Sequence, residues 1–236
     1  MCGIVGAAAQ RNVYKILIEG LRRLEYRGYD SAGFSIIDDQ HKLHTRKTVG
    51  KVVELEKEAE RHPAAGHVGI SHTRWATHGE PSVVNSHPHN SGSVSVVHNG
   101  IIENHEALRA SLTAQGCQFA SETDTEVVAN QVHYRSKDAP DLLSAVQRTV
   151  AELEGAYALV VISESEPETL VVARQGAPVV LGVGLGENFV ASDVSALLPV
   201  TRKFIFLEEG DVARLTRAKI EIFDVQGNPV DRPVRE

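Results

Sequence analysis

The sequence predicts an α/β fold in which two mainly antiparallel β-sheets pack together beneath outer helices. Strand-like patterns fall into two groups, one in the first hundred residues and one after Tyr157, and helical stripes lie between them. A chain of 236 residues, 42% of them hydrophobic, can bury a full core. Two groups of strands with helices between them favour a layered arrangement in a single domain, residues 1–236.

The first half of the chain is predicted to alternate strands with helices. Residues 2–9 are apolar and rich in small side chains, which is typical of a strand buried on both faces. A helical stripe runs from Val13 to Leu24, and Asn12 is suited to cap it. The remaining elements are strands over residues 34–37, 43–49, 68–72 and 93–98, with a charged helix over 52–61.

The second half is predicted to begin with three helices and to end with short strands. Asn104 and Thr123 are suited to cap the first two helices, and Pro140 to open the third. Strands are expected over residues 158–162, 170–173, 179–183, 189–191, 204–207, 212–215 and 220–223. The polar residues 229–236 are predicted to be a linker.

Composition excludes several classes of function. The chain carries 24 Lys and Arg against 31 Asp and Glu, a net charge of -7. The chain therefore lacks the excess of basic residues that is typical of a protein that binds nucleic acid or an anionic membrane. No apolar run approaches the ~20 residues of a membrane span. With two cysteines, Cys2 and Cys117, a disulfide framework is not expected, so a reducing cytoplasm is the predicted setting.

Cys2 is the candidate nucleophile. Removal of the initiator Met would leave a residue that carries both a thiol and a free α-amine. The amine has an ordinary pKa of about 7.7–8.0, so its neutral form can act as general base for the adjacent sulfur. A bridging water is favoured, because direct transfer would need a strained five-membered ring. The alternative is an inert cysteine at the start of a buried strand. Cys117 is given no role.

Asn99 and Gly100 are candidate donors for an oxyanion. They follow a predicted strand and offer a side-chain amide and a backbone N–H, and each such donor is typically worth about 10²–10³ in rate. The alternative is a hairpin turn, which Asn-Gly also favours. Residues 101–104 indicate passage into a helix rather than a returning strand, which weakens that alternative.

A long irregular segment, residues 73–92, and the start of a later helix supply opposite charges. The Arg74 guanidinium matches the two oxygens of a carboxylate, while Trp75 beside it can cover a small ligand. Residues 122–126 include three carboxylates, which either complement the helix dipole or, for one of them, bind an ammonium group. A group that binds a carboxylate, together with one that binds an ammonium group, suggests an α-amino acid ligand.

Two other classes of function remain open on the residues alone. One is a metal site built from histidines, although their spacing matches no common zinc pattern. The histidines concerned are His72, His78, His87, His89 and His98. The other is a non-catalytic amino-acid sensor, which would need Arg74 and Asp124 but no cysteine at position 2.

Five motifs in this order resemble one family of enzymes. They are residues 1–6 (MCGIVG), 26–33 (YRGYDSAG), 72–79 (HTRWATHG), 98–104 (HNGIIEN) and 121–126 (SETDTE). The set resembles the glutaminase domain of the glucosamine-6-phosphate synthase family, which are class II glutamine amidotransferases with an N-terminal nucleophile. The resemblance covers essentially the whole chain, and the ordered set is far more specific than any single motif. A glutaminase domain of another class II amidotransferase is the alternative within the same family.

The resemblance implies a four-layer αββα sandwich and a role for each matching residue. Cys2 would attack the side-chain amide of L-glutamine, and L-glutamate and ammonia would leave by way of a γ-glutamyl thioester. Asn99 and Gly100 would form the oxyanion hole. The substrate-binding residues would be Arg74, Trp75, Thr77, His78, His87 and Asp124. Apart from the resemblance, Arg27 lies in an unusually polar link between two elements, where it either supports the site or forms an ordinary surface ion pair. No cofactor or metal is implied.

The resemblance also implies a covalently linked isomerase domain that uses the ammonia to convert fructose 6-phosphate. We therefore expect this chain to be the glutaminase piece of such an enzyme, and to hydrolyse glutamine without making the amino sugar. Family dimer contacts lie mainly in the isomerase portion, so the isolated domain is expected to be a monomer.

Overall fold

The computed structural model describes residues 2–76 and 79–236, and within these it contains two large antiparallel sheets and five α-helices. In chain order the elements are β1 (Gly3–Ala9), α1 (Tyr14–Leu24), β2 (Ser31–Ile37), β3 (Leu43–Val49), α2 (Val52–Arg61), β4 (Val68–Arg74), β5 (His89–Ser91), β6 (Val94–Ile102), α3 (His105–Ala114), α4 (Asp124–Ser136), α5 (Leu142–Val150), β7 (Gly155–Ser163), β8 (Leu170–Gln175), β9 (Val180–Val183), β10 (Glu187–Ala191), β11 (Phe204–Phe206), β12 (Val212–Leu215), β13 (Ile220–Phe223), β14 (Pro229–Val230) and β15 (Val234–Arg235).

The two sheets divide the strands between them. In the described part of the chain, the first sheet has the order β15-β11-β9-β10-β1-β4-β2-β3 and the second the order β14-β13-β12-β8-β7-β6-β5. Neighbouring strands pair in antiparallel fashion in both sheets. The predicted class of fold is therefore confirmed.

Alternation along the strands creates the four layers. In β1, Ile4 and Ala8 join the core between the sheets, whereas Val5 and Ala7 face a second core beneath α1 and α2. On the far side of the second sheet, apolar residues of β6 and β7 pack beneath α4 and α5. The order of layers is helices, sheet, sheet, helices, as the αββα expectation requires.

Strand β1 occupies the middle of the first sheet and is buried along its whole length. It pairs with β10 on one edge and β4 on the other. Small residues are needed because the neighbours approach closely: a Cβ on Gly6 would lie 2.6 Å from the Val190 Cγ1 atom. The predicted strand is confirmed over residues 3–9, and Cys2 lies immediately before it.

Strand β6 is longer than the sequence predicts. It does not end at Asn99-Gly100 but continues to Ile102, because β7 pairs with it over its full length, up to Ile102 opposite Gly155. Gly100 has a φ of 119°, and a Cβ there would lie 2.1 Å from the Ala156 carbonyl oxygen. The glycine therefore permits close strand pairing rather than a hairpin turn.

The predicted helix caps have mixed outcomes. The Thr123 hydroxyl accepts a hydrogen bond from the Glu126 N–H at 3.3 Å and caps α4 as expected. Asn104 holds the N-cap position of α3, but its side chain bonds the backbone at Glu152 and Glu154 instead. Val13 rather than Asn12 is the N-cap of α1, but the Asn12 Oδ1 atom accepts a hydrogen bond from the Tyr14 N–H, the first of the helix, at 3.1 Å.

The predicted linker contributes short strands to both sheets. Strand β14 pairs with β13 in the second sheet, and β15 pairs with β11 in the first. The domain boundary itself stays a prediction. Among the described residues, every helix is too short or too polar to cross a membrane.

Replacement of Gly33 in β2 tests whether the fold requires the close contact between this strand and the segment that carries His87. A Cβ at Gly33 would lie 2.1 Å from the His87 carbonyl oxygen, a backbone atom that cannot move without shifting the segment. We expect Gly33→Ala to destabilise the fold by about 3 kcal/mol in urea unfolding.

Gly182→Ala in β9 of the same sheet is the matched control. A Cβ there would meet side-chain atoms of Thr201, Leu197 and Phe189 at 2.9–3.2 Å rather than a backbone carbonyl at 2.1 Å. Equal losses in the two variants would contradict the interpretation of Gly33.

Candidate active site

A cavity of about 450 Å³ lies at the ends of strands from both sheets, beside the start of α4. Eight of the predicted site residues line it: Cys2, Arg27, Arg74, Trp75, His87, Asn99, Gly100 and Asp124. Thr77 and His78, also predicted to bind substrate, lie outside the described residues. The structure thus gathers into one cavity residues that are as far apart in sequence as Cys2 and Asp124.

The Cys2 sulfur contacts the backbone of Trp75. It accepts a hydrogen bond from the Trp75 N–H at 3.1 Å, and the thiol lies 3.5 Å from the Trp75 carbonyl oxygen as donor. Burial raises the pKa of the Cys2 thiol, and the Trp75 N–H opposes that effect only in part. The sulfur is consequently protonated at neutral pH and needs a base before it can attack a carbonyl.

Three side chains hold the backbone that follows the Cys2 Cα atom. The Gly3 N–H donates to the Thr73 hydroxyl at 3.1 Å, and the Ile4 N–H donates to the Ser192 hydroxyl at 3.0 Å. The Asn99 side-chain nitrogen donates to the Cys2 carbonyl at 3.0 Å. The backbone beside Cys2, the candidate nucleophile, is therefore attached to both sheets.

Thr73 and Ser192 were not identified from the sequence. Ser192 is 188 residues away from its partner Ile4, and no local pattern marks a hydroxyl that acts across such a distance. Both are ordinary polar residues at the end of a strand.

Arg74 is the last residue of β4 and is almost fully buried, with 3% of its surface exposed. Its guanidinium donates to the carbonyl of Gly79 at 3.1 Å and lies 3.8 Å from the Asp30 carboxylate. Asp30 also accepts the Ala76 N–H at 2.5 Å. The carboxylate therefore joins the arginine to the segment after it, a function that sequence reasoning did not assign to Asp30.

Asp124 begins α4 and is also buried, so a second charged group faces the cavity. Its Oδ2 atom accepts the Ile102 N–H at 2.9 Å, which fastens the helix to the end of β6. A carboxylate at a helix N-terminus is favoured by the helix dipole. Arg74 and Asp124 thus supply the predicted pair of opposite charges.

Trp75 and Arg27 form the outer part of the cavity. The Trp75 indole is 56% exposed and packs over Gly28, where a Cβ would lie 2.8 Å from the ring. Arg27 forms an ion pair with Asp193 and remains mostly buried. The sequence left open whether Arg27 supports the site or forms a surface pair; it lines the cavity while bonded to Asp193.

Four histidines lie together beside the cavity, and two of them, His87 and His98, line it. The rings of His72 and His87 stack with centroids 4.1 Å apart, and His89 meets His87 edge-on. The Thr125 hydroxyl bonds His87 Nε2 at 2.7 Å and His98 Nδ1 at 3.0 Å. These contacts connect the histidines to α4, a role of Thr125 that the sequence does not reveal.

The histidines do not form a metal centre within the described residues. Across residues 2–76 and 79–236, no group of three His, Cys, Asp or Glu side chains is arranged to hold a metal ion. Burial lowers the pKa of His72 to about 3 and the pKa values of His87 and His89 well below the usual 6.5. These rings are therefore neutral at physiological pH.

Comparison with known proteins identifies the family. A family model described as the glutamine amidotransferase domain matches residues 74–199, more than half of the chain. The chain belongs to the glutamine amidotransferase domain family. The match begins at Arg74 and includes Asn99, Gly100 and Asp124, whereas Cys2 precedes it.

Similar curated amidotransferases are named glutamine–fructose-6-phosphate aminotransferase (isomerizing). The chain is 62% identical to that of Shewanella oneidensis over 237 residues and 58% identical to that of Yersinia pestis over 233 residues. The matches cover 100% and 99% of this chain but 39% and 38% of the relatives. The chain thus spans about two fifths of the length of the curated relatives it matches.

Solved amidotransferase structures share the fold. The glutamine phosphoribosylpyrophosphate amidotransferase of B. subtilis, solved with ADP and GMP, aligns with a TM-score of 0.81 at 26% identity. That alignment covers 97% of this chain and 50% of the other. A glutamine aminotransferase class-II domain protein from Silicibacter pomeroyi aligns at a TM-score of 0.65 and 17% identity, a likeness of fold alone.

The neutral histidines predict a dependence of stability on pH. Because the pKa of His72 is lowered from 6.5 to about 3, the unfolded chain binds a proton in this pH range that the folded chain does not. The stability contributed by the neutral ring is complete above pH 6.5 and is lost as pH falls toward 3. When the pH is lowered from 7 to 4.5, the free energy of unfolding in urea should therefore fall by roughly 2–3 kcal/mol less in His72→Gln than in the parent chain.

His67→Gln is the matched control for this prediction, because the His67 side chain is 54% exposed. It should leave the pH profile of the parent chain unchanged. An identical acid response in His72→Gln and the parent would contradict the neutral-ring interpretation.

Proposed function

We propose that this chain hydrolyses the side-chain amide of L-glutamine to L-glutamate and ammonia. The observation that carries the proposal is the shared lining of one cavity by a thiol, two candidate oxyanion donors and two groups of opposite charge. Membership of the glutamine amidotransferase domain family supports glutamine as the ligand. A sensor would need the charged pair but would have no use for the sulfur.

The proposed reaction starts at Cys2 after removal of the initiator Met. The neutral α-amine takes the thiol proton through one water, and the sulfur forms a bond to the amide carbon. The negative charge that develops on the amide oxygen is stabilised by the Asn99 side-chain nitrogen and the Gly100 N–H. Ammonia leaves with the transferred proton, and water then hydrolyses the γ-glutamyl thioester.

Binding of the amino-acid end of glutamine is assigned to the charged pair. Arg74 would bind the α-carboxylate with help from Thr77 and His78, and Asp124 with the Gly100 carbonyl would bind the α-ammonium. Burial of both charged groups strengthens these interactions, because little water screens them.

The remaining predicted site residues border this space. Trp75 would cover the substrate and His87 would line the space beneath it, while Arg27 supports the outer wall through Asp193. The roles of Trp75 and His87 are those that the resemblance implies, and both residues line the cavity.

For the whole protein, we propose that the ammonia supplies the synthesis of glucosamine 6-phosphate from fructose 6-phosphate. The names of the curated relatives and their greater length support a covalently linked isomerase domain. A cytoplasmic setting is supported by the two free cysteines and by the metabolic role in the relatives' names. A monomeric state of the isolated domain stays a prediction.

A diazoketone analogue of glutamine tests the nucleophile. The Cys2 sulfur should displace nitrogen and retain the carbon skeleton, so intact mass should show one adduct on a chain that lacks Met1. Peptide mapping should place the adduct on Cys2.

Two cysteine variants frame this measurement. Cys117→Ala should retain full labelling, and Cys2→Ala should lose both labelling and glutaminase activity. Labelling of Cys117 alone, or hydrolysis that persists in Cys2→Ala, would reject the proposed nucleophile.

Arg74→Lys tests the carboxylate site. Lysine keeps the charge but cannot donate two parallel hydrogen bonds, so KM for glutamine should rise about 10- to 100-fold in steady-state assays of glutamate release. Arg22→Lys, a change at an exposed ion pair with Glu56, should leave KM unchanged. If KM in Arg74→Lys stays within about twofold of the parent value, the carboxylate binds elsewhere.

A further inference from the structure

His72 lies beside the oxyanion donor but outside the direct path of the substrate. It is a fully buried residue of β4, and its Nε2 atom is 2.9 Å from the Asn99 Oδ1 atom and 3.0 Å from the His98 carbonyl oxygen. Asn99 in turn bonds the Cys2 carbonyl at 3.0 Å. One imidazole nitrogen thus links the first sheet to the residue proposed to stabilise the oxyanion.

The chemistry of these contacts determines where the proton lies. A backbone carbonyl only accepts hydrogen bonds, so the His98 carbonyl requires His72 Nε2 to be the donor. The same nitrogen can then meet only an acceptor at Asn99, which must be Oδ1 rather than the amide nitrogen. The other end of the amide faces the Cys2 carbonyl, which also requires a donor.

Both ends of the Asn99 amide therefore specify one orientation. If the amide were rotated by half a turn, Oδ1 would face the Cys2 carbonyl and the amide nitrogen would face the N–H of His72. That arrangement sets two acceptors against each other at one end and two donors at the other. In the observed orientation the amide nitrogen has two hydrogens, one for Cys2 and one for a substrate oxyanion.

The imidazole itself is held in this state by its surroundings. The His87 ring stacks against it at 4.1 Å, which restricts rotation of the side chain. Its Nδ1 atom is buried without a hydrogen-bond partner among the described residues, where a lone pair costs less than an N–H. Burial lowers the pKa of His72 to about 3, so the ring stays neutral with one proton.

We propose that His72 is a positioning residue for glutamine hydrolysis: its Nε2–H fixes the Asn99 amide so that the amide nitrogen points to the nucleophile and the oxyanion. The inference rests on the proposed function and deepens it. It assigns His72 no proton transfer and no contact with glutamine. Its effect belongs to the reaction step, because Arg74 and Asp124 hold the substrate.

Two substitutions of His72 separate the hydrogen bond from the volume of the ring. His72→Phe keeps a ring but removes the donor, and kcat for glutamine hydrolysis should fall about 10- to 100-fold while KM stays within about twofold. His72→Gln places an amide N–H close to the position of Nε2, and kcat should recover to within about fivefold of the parent chain. Equal losses in both variants, or a rise in KM alone, would overturn the proposal.

Ser95→Ala is the matched control. Ser95 lies in the same strand as Asn99, and its hydroxyl donates at 2.8 Å to Ser35 of the opposite sheet. The substitution removes a buried hydrogen bond between the sheets without touching Asn99, so kcat should remain within about twofold. A loss as large as that of His72→Phe would assign the effect to general packing and reject a specific role.

A double-mutant cycle distinguishes positioning from an independent effect. If His72 acts through Asn99, His72→Phe should change kcat by less than about twofold when Asn99 is already Ala. Effects of the two substitutions that multiply would contradict the proposal, because they would show that His72 acts by another route.

The protonation state can be measured on the parent chain, which removes any dependence on whether His72→Phe folds. Nitrogen NMR of chain labelled in histidine should show His72 as a neutral ring protonated at Nε2 from pH 5 to 8, its signal identified by its loss in His72→Gln. A ring protonated at Nδ1, or a charged ring at pH 7, would overturn the inference. Absence of glutaminase activity in the parent chain would instead reject the proposed function, and the NMR result would still decide the orientation of Asn99.

Discussion

Strand β1 is hydrogen-bonded along both of its edges, and this pairing places Cys2 at the cavity. The strand is buried on both faces and lies between β10 and β4; its pairing with β4 begins at Gly3 and its pairing with β10 at Val5. Three side chains then hold the backbone beside Cys2 from both sheets. A reactive sulfur at a chain terminus would otherwise be among the least ordered parts of a protein, and here it is attached to the core.

The second sheet supplies Asn99 and Gly100, which complete the set of residues that the first sheet brings to the cavity. Strand β6 brings Asn99 and Gly100 to the cavity that Cys2 lines because β7 pairs with it past the glycine, and Asp124 binds the end of the same strand. The sulfur and Arg74 come from the first sheet, whereas the proposed oxyanion donors come from the second. The site is therefore complete only when the two layers pack, and the core between the sheets is as necessary to the chemistry as the residues that line the cavity.

Strand and helix positions follow closely from periodicity, and the roles proposed for Cys2, Asn99 and Arg74 rest on residue type and order. The end of β6 could not be predicted, because local turn preference of Asn-Gly was overridden by pairing with a strand more than fifty residues later. Asp30, Thr125 and Ser192 escaped notice for a related reason. Their partners are distant in sequence, and no local sequence pattern predicts such a contact for a single hydroxyl or carboxylate.

The position of Trp75 gives the molecule a built-in optical reporter. It is the one tryptophan in the chain, it borders the cavity, and more than half of its surface meets solvent. Indole emission depends on the polarity around the ring, so a ligand that displaces water from the Trp75 side of the cavity shifts the emission wavelength. Since no second tryptophan contributes to the signal, occupancy of the cavity can be followed without attaching a dye.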